Sequence, residues 1–143
     1  MMMTQQSIQT FFDDRADYWR ARDAIGLAAG HAVDGRVSSP MWRERLGRDA
    51  ILESYRQLFE TFPDWEFNGQ QLLIDGDRVA QPFSASATLE GEFMGLPPTH
   101  RRCQIEGVRL YEMKDGLIQS EKRLYDFTGM LIQVGVLKSK PAQ

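Results

Sequence analysis

The spacing of apolar residues changes once along this chain, and the change limits what it can fold into. Up to Phe62 the large apolar side chains recur at three, four and seven residues; after Pro63-Asp64 they recur at two, until a last stretch of about fifteen residues. The first spacing stacks side chains on one face of a helix, the second on one face of a strand. Helices first and a long sheet afterwards is the α+β pattern, with helices laid against one face of an antiparallel sheet. At 143 residues the whole of 1–143 is expected to be a single domain, with residues 1–6 and 138–143 as flexible tails.

Ile8, Phe11, Phe12, Tyr18, Trp19 and Ile25 share one helical stripe. Asp23 is a natural N-cap within it, so the stripe divides into helices over residues 7–22 and 24–31. Asp34-Gly35 reads as a turn, and residues 36–42 as a short strand at an edge or bulge because it holds Pro40. A third helix over 48–62 carries Ile51, Tyr55, Leu58, Phe59 and Phe62 on one face and stops at Pro63-Asp64. Four strands follow, over 65–74, 78–91, 100–114 and 117–125. Asp75-Gly76-Asp77 and Asp115-Gly116 supply the tight turns of antiparallel hairpins. In the second strand Val79, Phe83, Ala85, Ala87 and Leu89 form a buried face, and Gly107 in the third suggests a bulge.

Composition excludes several classes of function. Seventeen Lys and Arg against twenty Asp and Glu give a net charge of -3 with no cationic cluster, which a phosphate backbone requires, so no nucleic-acid partner is expected. No apolar run approaches the ~20 residues of a spanning helix, and Met1 to Met3 lead into polar residues and not a signal peptide. The expectation is a cytoplasmic protein without a membrane partner. Cys103 is the only cysteine and His31 and His100 the only histidines, so no internal disulfide and no metal site are expected. Phosphate loops and the Gly-x-Ser-x-Gly elbow are missing.

Several segments carry a resemblance: 23–41, Arg48-Asp49-Ala50-Ile51, Phe62-Pro63-Asp64-Trp65, Glu92-Phe93-Met94-Gly95-Leu96-Pro97-Pro98-Thr99, and 125–135. Over residues 8–137 the chain resembles the SnoaL-like polyketide cyclases, of the superfamily that includes ketosteroid isomerase and nuclear transport factor two. The Gly-Leu-Pro-Pro-Thr loop and the terminal Asp followed by Leu and Gln-Val-Gly are its specific parts. His100 departs from the family's usual Gly after that Thr. The resemblance implies a curved antiparallel sheet wrapped into a cone by three N-terminal helices, an internal apolar cavity, and homodimerisation through the outer sheet face. It also implies a cyclase or isomerase that closes or rearranges a polyketide-like or other apolar carbonyl compound by acid/base chemistry, without cofactor. A fold fixes a cavity and not a reaction, so a non-catalytic ligand-binding or dimeric scaffold module stands beside that expectation.

The resemblance places the cavity acid at Asp126. A carboxyl enclosed by aromatic residues holds its proton more tightly, which suits a proton donor. The same residue type at this position also reads as an N-cap for a short helix over 128–134. Strand alternation groups Asp126 with Lys122 and Leu124, and it lets at most one of Lys122 and Arg123 point inward to hold an enolate. Arg15 is a third candidate cation or an exposed helix charge. His31 is a proton shuttle, a core histidine or a helix-terminal cation. Phe12, Trp19, Phe59, Trp65 and Phe83 line a pocket or simply fill the core. Ser39 and Met41 are expected to face inward with Val37. The isomerase's own acids have no counterpart here, since Ser39 precedes Pro40, Arg15 stands at the helix tyrosine, and Gly107 and Val108 occupy the second acid position.

Overall fold

The computed structural model describes residues 3–138. Helix α1 (Gln5–Ala21) is capped by Thr4, whose hydroxyl accepts the Ser7 N–H at 3.0 Å, and it ends at Arg22 with φ of 50°. Gln5 and Gln6, expected in a tail, therefore form its first turn; residues 1–2 and 139–143 of the expected tails lie outside the described residues. Asp23 caps α2 (Ala24–Ala29) by accepting from the Gly26 N–H at 2.9 Å.

The chain then departs from the sequence reading. His31 does not close a helix; it opens strand β1 (His31–Ser39). The cause is distant in sequence: Ile118 donates to the Gly30 carbonyl at 2.8 Å, and β1 pairs in parallel with the last strand. Asp34-Gly35 is consequently no chain reversal but part of a register irregularity between His31 and Arg36. The reversal comes at Pro40, and β2 (Arg43–Leu46) returns antiparallel. Gly47, at φ of 88°, leads into α3 (Arg48–Thr61), which buries Ile51, Ser54, Tyr55 and Leu58.

The single strand expected over 65–74 is two, β3 (Glu66–Gly69) and β4 (Leu73–Asp75), both paired with β5 (Arg78–Thr88). Gly69 faces Phe83 and Leu73 faces Ala80, so residues 70–72 span only Gln81 and Pro82. Proline has no N–H to continue the ladder, and the edge strand breaks opposite it. Strands β6 (Arg102–Lys114) and β7 (Leu117–Tyr125) and helix α4 (Phe127–Gln133) complete the chain.

The seven strands form one curved, unclosed sheet in the order β2-β1-β7-β6-β5-β3, with β4 also on β5. Every pairing is antiparallel except β1 with β7. The helices cover one face of it. Buried side chains form two clusters. One runs from Trp19 and Leu27 through Tyr55, Phe62 and Phe83 to Met130, and a smaller one holds Ile8, Phe12, Val79, Tyr111 and Ile118. The loop motifs act as ties. Asp64 accepts from the Thr88 amide and hydroxyl, both at 2.7 Å, and the Thr99 hydroxyl donates to the Val134 carbonyl at 2.5 Å.

Gly107 is not a bulge. It pairs in register with Phe83 on one side and Tyr125 on the other, and the β6–β7 irregularity lies at Glu112/Met113. The position needs glycine for space, because a Cβ there would stand 2.1 Å from the Leu124 carbonyl oxygen. Gly107→Ala is expected to lower unfolding free energy by about 1–3 kcal/mol, the usual cost of overpacking, as read from urea denaturation.

Candidate functional site

Strand alternation brings an ionic cluster into the core. Along β6 the inward positions run Cys103, Ile105, Gly107, Arg109, Tyr111 and Met113; along β7 they include Glu121, Arg123 and Tyr125. Arg109 and Arg123 are direct cross-strand partners. Two like charges so placed repel, and the arrangement persists because Glu121 lies between them. Its Oε2 accepts from Arg123 Nε at 2.5 Å and from Arg109 Nη1 at 3.5 Å. All three residues are at least 95% buried.

Aromatic faces complete the surroundings of both cations. The Arg109 guanidinium lies 4.4 Å from the Phe67 ring centroid, 4.8 Å from Trp19 and 4.9 Å from Phe83. Arg123 lies 4.2 Å from Trp42 and 5.5 Å from Tyr55. Ring quadrupoles attract a cation that has lost its water. Burial, then Arg123, still lowers the Arg109 pKa from its ordinary value. At Glu121 burial works to raise the carboxyl, but Arg123, Arg109 and His31 outweigh it and hold it at about 2.

A second layer joins α1, α3 and β1. The Tyr55 hydroxyl accepts from Arg15 Nη2 at 3.1 Å and from Arg123 Nη2 at 3.2 Å, and lies 3.0 Å from His31 Nε2. With both lone pairs taken, the hydroxyl proton goes to Nε2, which puts the ring hydrogen of a neutral His31 on Nδ1. Burial, then Arg15, depresses the His31 pKa to about 3. Arg15 also donates to the Leu27 carbonyl at 2.8 Å, tying α1 to α2.

A cavity of about 20 Å³ opens against this cluster, lined by Ser39, Met41, Trp42, Leu58, Trp65, Phe83, Ile105, Arg109, Arg123 and Tyr125. It has room for roughly one water molecule. The interior is therefore nearly filled, and the small space left is walled mostly by apolar side chains, with Arg109, Arg123 and Tyr125 adding polar groups to it. Burial, opposed chiefly by Arg123, raises the Tyr125 hydroxyl to about 12. Trp65 Nε1 and Arg109 Nε are buried without a hydrogen-bond partner among the described residues.

The residues singled out from the sequence divide between this interior and the surface. Ser39, Met41, Trp65, Phe83 and Arg123 line the cavity, and Arg15 and His31 stand behind it. Trp19 is an Arg109 neighbour, and Phe59 stands edge-on to Trp19 with ring centroids 6.1 Å apart. Phe12 is elsewhere, packed on Tyr111 in the smaller cluster. Lys122, Leu124 and Asp126 do share a side, but all three are exposed. The Asp126 carboxylate accepts the Gly129 N–H at 2.8 Å as the N-cap of α4 and is not among the cavity's lining residues. The correction follows from parity: the neighbours that point inward are the odd-numbered Glu121, Arg123 and Tyr125. Sequence reasoning missed Arg109, Glu121, Tyr55 and Tyr125. A signal existed, since Arg109 interrupts an otherwise apolar alternation from Cys103 to Met113.

His100, on the loop, is exposed and pairs with Glu90 at 2.8 Å. Burial raises the Cys103 thiol to about 11, so it stays protonated. Among the described residues no group of three His, Cys, Asp or Glu side chains is placed to hold a metal ion, and no helix is long and apolar enough to cross a membrane.

A curved open sheet wrapped by helices around buried polar groups is the cone of the nuclear transport factor two-like fold. Within that class the chain belongs to the SnoaL-like polyketide cyclase family, whose profile matches residues 7–134. Solved structures agree in shape. IdmH of Streptomyces antibioticus, a polyketide cyclase candidate, is 25% identical with a TM-score of 0.73, over 89% of this chain and 97% of that one. AclR of Streptomyces galilaeus, a hydroxylase candidate, is 22% identical with a TM-score of 0.81, over 96% and 87%. TsrD of Streptomyces laurentii is 20% identical with a TM-score of 0.82, over 94% and 99%. No curated protein matches the chain.

The neutral buried His31 makes a prediction about acid stability. Its folded pKa is depressed from 6.5 to about 3, so below pH 6.5 the unfolded chain binds a proton that the folded chain refuses, and stability falls as pH falls. Glu121, held at about 2 against an ordinary 4.5, adds a loss in the same direction only at lower pH. Urea denaturation is expected to show a loss of about 2 kcal/mol between pH 7 and pH 5 from this residue. His31→Gln removes that component of the slope.

Proposed function

We propose that the chain is a cytoplasmic, cofactor-independent cyclase or isomerase for an apolar, polyketide-like carbonyl compound, working through an enolate whose oxygen is held in the cone interior while the α-proton passes to solvent water. The observation that carries this reading is that the cavity is lined by two guanidinium groups, Arg109 and Arg123, and a protonated phenol, Tyr125, with no carboxylate among its lining residues. Cations fixed in a water-poor site stabilise negative charge developing on a carbonyl oxygen, and they need no reorganisation to do so. Tyr125, whose hydroxyl lies beside the Ser39 side chain and the Met41 backbone, keeps its proton at neutral pH and can donate it to an alkoxide oxygen. Asp126, engaged as a helix cap, is given no part in this proposal.

The small volume of the cavity favours a second reading, a binding module without turnover. Exchange of α-protons for deuterium, followed by NMR over a panel of enolisable aryl ketones, separates the two. The enzyme reading expects exchange above the buffer rate, reduced about 10²–10³-fold in Arg109→Leu and Tyr125→Phe variants that retain native circular dichroism. Exchange at the buffer rate throughout the panel would favour the binding module.

We also propose that two copies pair through the outer sheet face, where Leu73, Leu110 and Leu124 stand exposed. Sedimentation equilibrium is expected to give a dimer for the wild type and a monomer for Leu110→Glu. A monomeric wild type rejects the pairing.

A further inference from the structure

The charge of the interior is unbalanced. Among the described residues the buried ionised groups are Arg15, Arg109, Arg123 and Glu121, three cations against one anion, with His31 neutral beside them. Arg109 shows the deficit most plainly. It has five N–H donors and, among the described residues, makes one hydrogen bond, at 3.5 Å, while its buried Nε has no partner there. The Trp65 indole N–H, also buried and lining the same cavity, is likewise unpartnered. Buried donors left unpaired are costly, and at a ligand site they are the groups that a ligand satisfies.

The cavity also borders a larger space, from which a few side chains divide it. Met41, Trp42 and Leu58 line it and equally line an open cleft of about 480 Å³, whose far wall is Phe62, Phe93 and Met94. Met41, half-buried and carrying the flexible thioether, is the part of this partition most able to yield. The charged residues lining the cleft, Arg45, Glu60 and Glu92, are at least partly solvated.

We propose that the compound taken by this interior carries one anionic oxygen group on an apolar ring body. The oxygen meets Arg109, Arg123 and the Trp65 N–H in the cavity, and the ring lies against Met41, Trp42 and Leu58 toward the cleft. A cavity of about 20 Å³ admits a single oxygen atom, that of an enolate or phenolate or one of the two of a carboxylate, and the cleft accommodates the body. A carboxylate and an acidic enol or phenol share this chemistry. The inference deepens the functional reading by naming a substrate class for the same site, but its test does not need turnover.

Isothermal titration with 2-naphthoate, 2-naphthol and 2-naphthamide provides the test, since none of the three has an exchangeable α-proton on a saturated carbon. The naphthoate is expected to bind at least about tenfold more tightly than the neutral amide of the same shape, the usual worth of hydrogen bonds to a charged group. Tighter binding of naphthol above its own pKa than below it would extend the site to phenolates and enolates; an unchanged affinity would confine it to carboxylates, and either result keeps the anion. Trp65→Phe, which keeps an aromatic side chain but removes the indole N–H together with its five-membered ring, is expected to reduce the naphthoate preference several-fold, and any effect of the lost volume falls on naphthoate and amide alike. Arg109→Leu is expected to abolish the preference, and Trp65→Phe decides the matter should that variant not fold. Amide binding equal to or tighter than naphthoate, no binding of any of the three, or a preference untouched by Trp65→Phe each overturns the proposal. Absence of ketone exchange alongside naphthoate binding rejects catalysis and leaves the anion site standing.

Discussion

Glu121 bridging two guanidinium groups is the contact on which the interior depends. Arg109 and Arg123 face each other across adjacent strands, where like charges repel. The carboxylate two residues before Arg123 lies on the same face and reaches both. Removing one partner of such a buried set strands the remaining charge and costs roughly 3–5 kcal/mol, far more than the set contributes over a well-packed apolar replacement. The cluster is thus better understood as a device for holding cations inside the cone than as a source of stability.

Its consequences extend outward through hydrogen bonds. Arg123 reaches the Tyr55 hydroxyl, which also receives Arg15 and faces His31. In this way α1, α3, β1 and β7 meet at one phenol oxygen. The same arrangement keeps His31 neutral and turns Arg109 toward aromatic faces on one side and the small cavity on the other. The cation-bearing cavity and the wider cleft of mixed polar and apolar lining beyond Met41 and Trp42 lie side by side, sharing Met41, Trp42 and Leu58.

Much of the architecture was legible because it is local. The helices around Ile8 to Trp19 and Ile51 to Leu58, the caps at Asp23 and Asp126 and the β6–β7 hairpin follow from periodicity and turn chemistry within a few residues of each position. The errors came where a distant partner decides. His31 starts a strand because Ile118 is beside it, and the edge strand divides because Pro82 lies opposite. At the site, alternation in β7 separates Lys122 and Leu124 from Glu121, Arg123 and Tyr125, but alternation alone does not say which side of a sheet the helices cover.

The sequence by itself determined the class of fold and the parity of its long strands, since these depend on side-chain spacing along a pleated or helical backbone. Only the tertiary structure decided that Arg109, Glu121 and Arg123 lie inside and Asp126 outside. That choice rests on which sheet face the three helices bury, and on the long-range meeting of β1, β6 and β7 that lets one carboxylate hold two cations away from water.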